Sequence, residues 1–221
     1  MSNELIKNLK SFNRKERFYL IGQMLGNPEF RMDDKQLDEI SKLIGIKIPR
    51  EYFAAMDYHL DWIYASLFLT QEHDEKTFPR NFIDNKKKID LQISGTQEDV
   101  DFLLAFVDHE NTTHLVMIEA KGDSYFSNGQ LDSKNKRFKA IFGNENTWPN
   151  VKPHFLICSP KKPKNVSIED PAYFMCPQES QLIWFPLVMD TGKNKVTRCI
   201  DSEKNFKLSS EGSHWKVESR S

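Results

Sequence analysis

Two apolar stretches, Val100 to Val107 and His114 to Lys121, are separated only by the polar run Asp108-His109-Glu110-Asn111-Thr112-Thr113. That spacing leaves the chain little choice. Parallel neighbours need a crossover of a dozen or more residues, so a gap this short requires two antiparallel strands joined by a hairpin. The hairpin also decides which charges meet. Glu119 and Lys121 lie two apart on one strand and leave it from the same face. Folding between Glu110 and Asn111 brings Asp101 opposite Ala120, and a shift of one residue sets it beside Glu119 or Lys121 on that face.

Around this hairpin the pattern predicts helices first and strands later. Asn13-Arg14-Lys15-Glu16 reads as a capping box opening a helix that carries Phe18, Leu20, Ile21 and Leu25 and stops at Gly26. A second helix starts near Asp33 or Asp34, carries Leu37, Ile40 and Leu43, and ends at Gly45. After Pro49, the positions Phe53, Met56, Leu60, Ile63 and Leu67 recur at three- and four-residue steps. They predict one long apolar helix with Asp57 and Asp61 on its flank, finished by Thr77-Phe78-Pro79. Ile89, Leu91 and Ile93 alternate with polar residues and predict a strand ending at Gly95. Downstream, Gln130 to Phe142 reads as a lysine-rich helix and Val151 to Cys158 as a buried strand. The segments 182–185, 195–200 and 214–217 read as strands of a β-rich tail. The fold class is α/β or α+β with a mixed central sheet and flanking helices. Its parts are a helical N-terminal extension (1–48), a core (49–165) and a β-rich C-terminal extension (166–221).

The chain has 221 residues with 38% hydrophobic and 12% aromatic content, enough for a packed core. Acidic and basic residues nearly cancel, to a formal net charge of -1. A nucleic-acid partner would therefore have to be met by local basic groups: Lys86 to Lys88, Lys134 to Lys139, or Lys161, Lys162 and Lys164. No apolar run approaches a membrane span or a signal sequence. Three widely spaced cysteines argue against a disulfide framework and a zinc site. A cytoplasmic location without membrane association is the expectation. His59 and His154 read as hydrogen-bonded structural residues, and the four tryptophans as core.

Two carboxylates and a lysine at the end of an apolar strand pair suit phosphodiester hydrolysis. Two acidic oxygens with a backbone carbonyl match a hard divalent cation, which acidifies a water and polarises a phosphate. A neighbouring lysine orients that water and offsets negative charge.

Asp101, the apolar strand after it and Ile118-Glu119-Ala120-Lys121 resemble the D…(D/E)-x-K signature of the PD-(D/E)XK, or restriction-endonuclease-like, nucleases. Gln130 and Lys134, spaced Q-x-x-x-K, are similar to a supporting helix motif in several branches of that superfamily. Val100 stands where proline often precedes the first acid. The resemblance covers roughly residues 50 to 160. It implies that Asp101, Glu119 and the Ala120 carbonyl hold Mg2+ or Mn2+, that Lys121 serves the water, and that Gln130 and Lys134 support the site or touch phosphates. It also implies a further acid from a helix, for which Glu51, Asp57 and Asp61 compete, Asp61 slightly ahead. The expected activity is metal-dependent cleavage of nucleic acid, DNA first, as an endonuclease, and a homodimer is compatible with it. The rival expectation is a non-catalytic nucleic-acid or protein-binding scaffold on the same fold.

Overall fold

The computed structural model describes residues 2–71, 92–95, 98–122, 124–164, 166–177, 181–189, 194–200 and 207–219. The segment ending at Thr77-Phe78-Pro79, the lysines 86–88 and most of the strand expected at 89–93 lie outside them. Gln92 and Ile93 form a bend instead of a strand.

Residues 1–187 make one compact unit and 188–221 a second. The first contains helices α1 (Ser2–Phe12), α2 (Glu16–Met24), α3 (Asp34–Ile44), α4 (Leu60–Leu69) and α5 (Asn128–Phe142). Its strands are β1 (Phe53–His59), β2 (Asp99–Val107), β3 (Thr113–Ala120), β4 (Val151–Ser159) and β5 (Ile183–Pro186), in spatial order β1-β2-β3-β4-β5. The expected hairpin is β2–β3, antiparallel. β4 then lies parallel to β3, reached through α5 as a crossover, and β5 is parallel to β4. This last pairing carries the first unit on to Leu187, past the boundary near residue 165 read from the sequence.

The helix expected after Pro49 is corrected. Its first half is β1, antiparallel to β2, and only Leu60 onward is helical. The cause is burial on both sides. Ala54 belongs to one core cluster while Phe53 and Ala55 belong to the other, and a strand buried on both faces loses the polar alternation that would identify it. The capping box at Asn13 does not form either: Lys15 is the N-cap of α2, without a side-chain cap bond. Asp33 caps α3 as expected by accepting from the Lys35 amide, and Gly45 ends it with φ 70°, a left-handed turn that glycine adopts without steric penalty.

The sheet separates two cores. Leu103, Ala105, Leu115, Met117, Phe155 and Ile157 face α1, α4 and α5, and Phe138 and Phe142 of α5 supply the largest rings there. Leu104, Phe106, Val116, Ile118, Leu156 and Cys158 face the opposite way, towards Ile40 of α3. Odd-numbered positions on β2 and β3 therefore point to the α5 side, which places Asp101 and Glu119 there too.

The second unit is a three-stranded antiparallel sheet, β6 (Asn194–Ile200) between β7 (Lys207–Leu208) and β8 (His214–Ser219). Cys199 is buried in it, and Gly212 packs on the Cys199 carbonyl, where a Cβ would come within 2.1 Å of the oxygen.

A chain of polar contacts ties the hairpin turn to β4. Asp108 accepts from the amides of Glu110 and Thr112 and lies 3.0 Å from His114 Nε2; His114 Nδ1 lies 3.0 Å from His154 Nε2. The carboxylate accepts a hydrogen bond from His114 Nε2–H, so His114 Nδ1 accepts from His154 Nε2–H. His154 is structural, as the sequence reading had it. Burial, with the neighbouring His114 adding to it, pushes its pKa down to about 4 from an ordinary 6.5. A folded-state pKa below the unfolded one gives stability that is complete above the unfolded value and drains away as pH falls toward the folded one. Unfolding free energy should thus drop by on the order of 3 kcal/mol between pH 6.5 and 4 through this residue. Urea unfolding of His154→Phe should show a flattened slope across that window; an unchanged slope contradicts the assignment.

Candidate functional site

Register brings the acids together. The pairing Phe102↔Ile118 places Asp101 opposite Glu119, one residue away from the position obtained by folding the gap at its middle. The turn itself is the reason. Thr113 belongs to β3, so the loop is Asp108 to Thr112, closed by Asp108 N–H to Thr112 O and by Asn111 at φ 66°. A five-residue loop centres on Glu110 and leaves Asp101 and Glu119 face to face.

Glu119 is held by three side-chain donors. It is 3% exposed, at the end of β3 beneath α5. Lys134 Nζ donates to its Oε2 at 2.5 Å, Gln130 Nε2 to its Oε1 at 2.7 Å, and Lys121 Nζ to the same Oε1 at 3.2 Å. Gln130 and Lys134 are one helical turn apart on α5, so both reach the same carboxylate. Ser127 fixes the start of that helix by accepting from the Gln130 amide. Lys134 is itself 3% exposed and donates a second bond to the Asp99 carbonyl at 2.6 Å. It is buried against Glu119 and turned away from solvent. The basic stretch from Lys134 to Lys139 is likewise no open cationic face, because Arg137 is buried and Lys139 is paired with Asp170.

Asp101 Oδ2 accepts the Ala120 amide at 2.6 Å. Its carboxyl is held above the ordinary carboxylate range, by burial first and then by the charge of Glu119, against the opposing pull of that amide bond, Lys121 and Lys134. The amide of Lys121 is anchored to the Cys158 carbonyl of β4 at 2.8 Å, which fixes the end of β3.

The three helix-acid candidates separate. Asp61 opens α4, yet its carboxylate accepts from the amides of Ser94 and Gly95 and from Arg137 at 2.5 Å. It clamps the 94–95 segment to α5. Asp57 sits on β1, not on a helix, opposite Asp101 in the register that runs from Met56↔Phe102 to Tyr58↔Val100. Its φ of 49° is left-handed, unfavourable for a residue with a Cβ. Beyond it the side-chain alternation resets, and Tyr58 and Val100 both join the α5-side core. Asp57 pairs with Arg17 of α2 at 2.7 Å, and Lys15 lies 3.6 Å from Asp99. Glu51 lies in the loop before β1.

Sequence reasoning missed Lys15, Arg17, Glu98 and Arg137, whose partners lie far along the chain, so that no local spacing marked them. Arg137 Nε is 3.5 Å from Glu98. His59 pairs across with Asp99 and lies 4.4 Å, ring to ring, from Trp62; burial and then Lys15 lower its pKa.

Among the described residues no group of three or more His, Cys, Asp or Glu gathers tightly enough to hold a metal ion. The donor set around Asp101 is smaller and still fits a hard cation. A carboxylate offers about four acceptor positions, and the three donors on Glu119 leave one. Asp101 uses one oxygen, and burial first, then the charge of Glu119, raises its pKa. Magnesium commonly binds through only one or two carboxylates and keeps several waters. Among the described residues no helix is long and apolar enough to cross a membrane. Comparison of the chain with protein-family models, curated proteins and solved structures gives no match.

Because the fold favours the protonated form of Asp101, ionising it costs stability as pH rises through its elevated pKa. Asp101→Asn keeps an oxygen for the Ala120 amide and removes the charge. It should raise the melting temperature at pH 7, with the gain fading below about pH 4, where unfolded aspartate is itself protonated. A fall in melting temperature at pH 7 would mark Asp101 as a structural partner.

Proposed function

We propose that the protein is a metal-dependent nuclease that hydrolyses phosphodiester bonds, with DNA as the first substrate to test. The observation that carries this reading is the meeting of Asp101, Glu119 and Lys121 on one face of two paired strands, with Asp101 under electrostatic stress. The consecutive sheet order β1-β2-β3-β4, with β4 parallel after a crossover helix, supports the resemblance to the PD-(D/E)XK core. The departure is that α4 is inserted between β1 and β2.

Asp101, Glu119 and the Ala120 carbonyl would hold Mg2+ or Mn2+. That ion would supply Lewis-acid polarisation of a phosphodiester and a water acidified toward neutral pH. The chain's own contributions are distinct. Gln130 and Lys134 keep Glu119 in one orientation, so that its remaining acceptor position is fixed in space. Lys121, the longest of the three contacts on Glu119 and more exposed than Lys134, can swing its Nζ toward a phosphate oxygen or an attacking water while the other two hold. Its positive charge offsets the negative charge that develops on the phosphoryl oxygens.

One observation favours a second reading. Lys121, Gln130 and Lys134 already compensate Glu119 without a metal, as a non-catalytic scaffold would need. Single-turnover cleavage of a labelled duplex in magnesium, with binding of the same duplex in calcium, separates the two. Lys121→Ala should lower the cleavage rate by about 100- to 10,000-fold while binding changes little. Cleavage by the variant at the wild-type rate removes the lysine from the mechanism. A wild-type protein inert on single-stranded, duplex and branched DNA and RNA leaves the scaffold reading.

A further inference from the structure

Two loops leave the sheet at the end that carries the acid–lysine cluster, and they leave it side by side. β3 and β4 are parallel, with Ala120 paired to Cys158 and the Lys121 amide bonded to the Cys158 carbonyl at 2.8 Å. The first loop runs from Lys121 to Ser127, the N-cap of α5, and the second follows Ser159. Asn128 Oδ1 accepts the Ser167 amide at 3.3 Å, which joins the far ends of the two loops.

The first loop presents an aromatic ring. Phe126 is 9% exposed and belongs to the α5-side core, while its neighbour Tyr125 is 94% exposed and has no ring partner among the described residues. One aromatic side chain pins the loop and the other stands in water, where it gains little from the fold.

The second loop presents charge. Lys161, Lys162 and Lys164 are exposed, and among the described residues none has an ion pair or a side-chain hydrogen bond. The backbone beneath them is held. Ser159, itself 6% exposed, donates to the Lys161 carbonyl at 2.9 Å and accepts from Trp184 at 3.1 Å. Pro160 and Pro163 fix φ on either side of Lys161 and Lys162, and Val166 and Ile168 pack on the α5-side core. The acids that follow are Glu169 and Asp170, and Asp170 is already paired with Lys139. Asp123 of the first loop lies outside the described residues.

Chain length keeps both features close to Glu119. At roughly 3.5 Å per residue, Tyr125 lies within about 14 Å of Lys121, and Lys161 within about 7 Å of Ser159, the neighbour of Lys121 across the strands. A ring in water can stack only on a base whose face is open. Duplex bases are covered by their neighbours except at the ends, whereas the bases of a single strand are free to stack on an aromatic side chain. Lysines without carboxylate partners match the phosphates that join such bases. An acidic peptide would also answer the lysines, but the ring stands beside a cluster read as acting on phosphodiesters, and the choice of a nucleotide rests on that reading.

We propose that the two loops form a track for unpaired nucleic acid, so that the substrate class is a single strand, an overhang or a flap. A base stacks on Tyr125, and the phosphates of the same strand run over Lys161, Lys162 and Lys164. The experiment is fluorescence anisotropy of the full chain in calcium, with a labelled single-stranded oligodeoxynucleotide and the blunt duplex made from it. The wild type should bind the single strand more tightly than the duplex at equal salt. Tyr125→Ala should weaken single-strand binding about tenfold, the loss of one stacked base, and narrow the preference over duplex; Tyr125→Phe should keep both. Replacing Lys161, Lys162 and Lys164 together by glutamine should lower the slope of log affinity against log salt by about 2, at roughly 0.7 per phosphate contact on a single strand. The proposal is overturned if the wild type binds no single strand or prefers the duplex. It is equally overturned if Tyr125→Ala binds the single strand like the wild type, or if the lysine variant keeps the wild-type salt slope. Cleavage in magnesium separates the track from the nuclease reading. A wild type that cuts, with both variants binding as it does, contradicts the track alone. A wild type that binds single strands through Tyr125 and cuts nothing upholds the track and contradicts the nuclease reading alone.

Discussion

A carboxylate buried between a sheet and a helix has to be compensated where it stands, and the compensation of Glu119 organises this molecule. Lys134, Gln130 and Lys121 converge on its two oxygens. Two of these come from α5, so the ion pair sets the rotation of that helix about its axis as well as its height over the sheet. Removing one partner of such a pair typically costs about 3–5 kcal/mol, because the other charge is left buried and alone. The aromatic core of Phe138, Phe142, Phe155 and Phe174 then closes along the same helix. Lys134 also reaches the Asp99 carbonyl, and the clasp thereby joins the start of β2 to the end of β3.

The polar end of the sheet is built around that clasp. Asp101 faces Glu119 across the strand pair and carries the electrostatic cost of the arrangement in its raised pKa. Asp57 faces Asp101 from β1 and is drawn away to Arg17 by a left-handed backbone turn. Asp61 is committed to Arg137 and the 94–95 segment. Three donors converge on Glu119, Asp57 and Asp61 are engaged elsewhere, and one oxygen of Asp101 carries no hydrogen bond among the described residues. This uneven distribution, more than the number of acids, is why we propose Asp101 and Glu119 as the place for a divalent cation.

Much of this was legible in the sequence because it is local. The β2–β3 hairpin followed from a short polar gap, α3 from Asp33 and Gly45, and the meeting of Asp101 with Glu119 from the two-residue period of strands. Register was legible only to within one residue, since the assignment of Thr113 to strand or turn decides it and composition does not. β1 was hidden because Phe53, Met56 and Leu60 happen to fall at helical steps while the strand is buried on both faces. Lys134 was read as supporting the site or touching phosphates, and Arg137 only as part of a basic run, solvated by default; their partners are Glu119, Glu98 and Asp61, far apart in sequence and joined only by the fold. Asn13 followed the capping pattern in spelling alone, with its amide left unpaired.

The proposed nuclease chemistry requires the Asp101–Glu119 pair to be an incomplete cation site and not a finished ion-pair network. Anomalous diffraction from crystals soaked in Mn2+ tests it directly. The expected result is a single manganese peak bound by Asp101, Glu119 and the Ala120 carbonyl, with Lys121 Nζ displaced from Glu119 while Gln130 and Lys134 stay in place. Crystals that show no peak at this position, with all three donors still on Glu119 at saturating Mn2+, would contradict it.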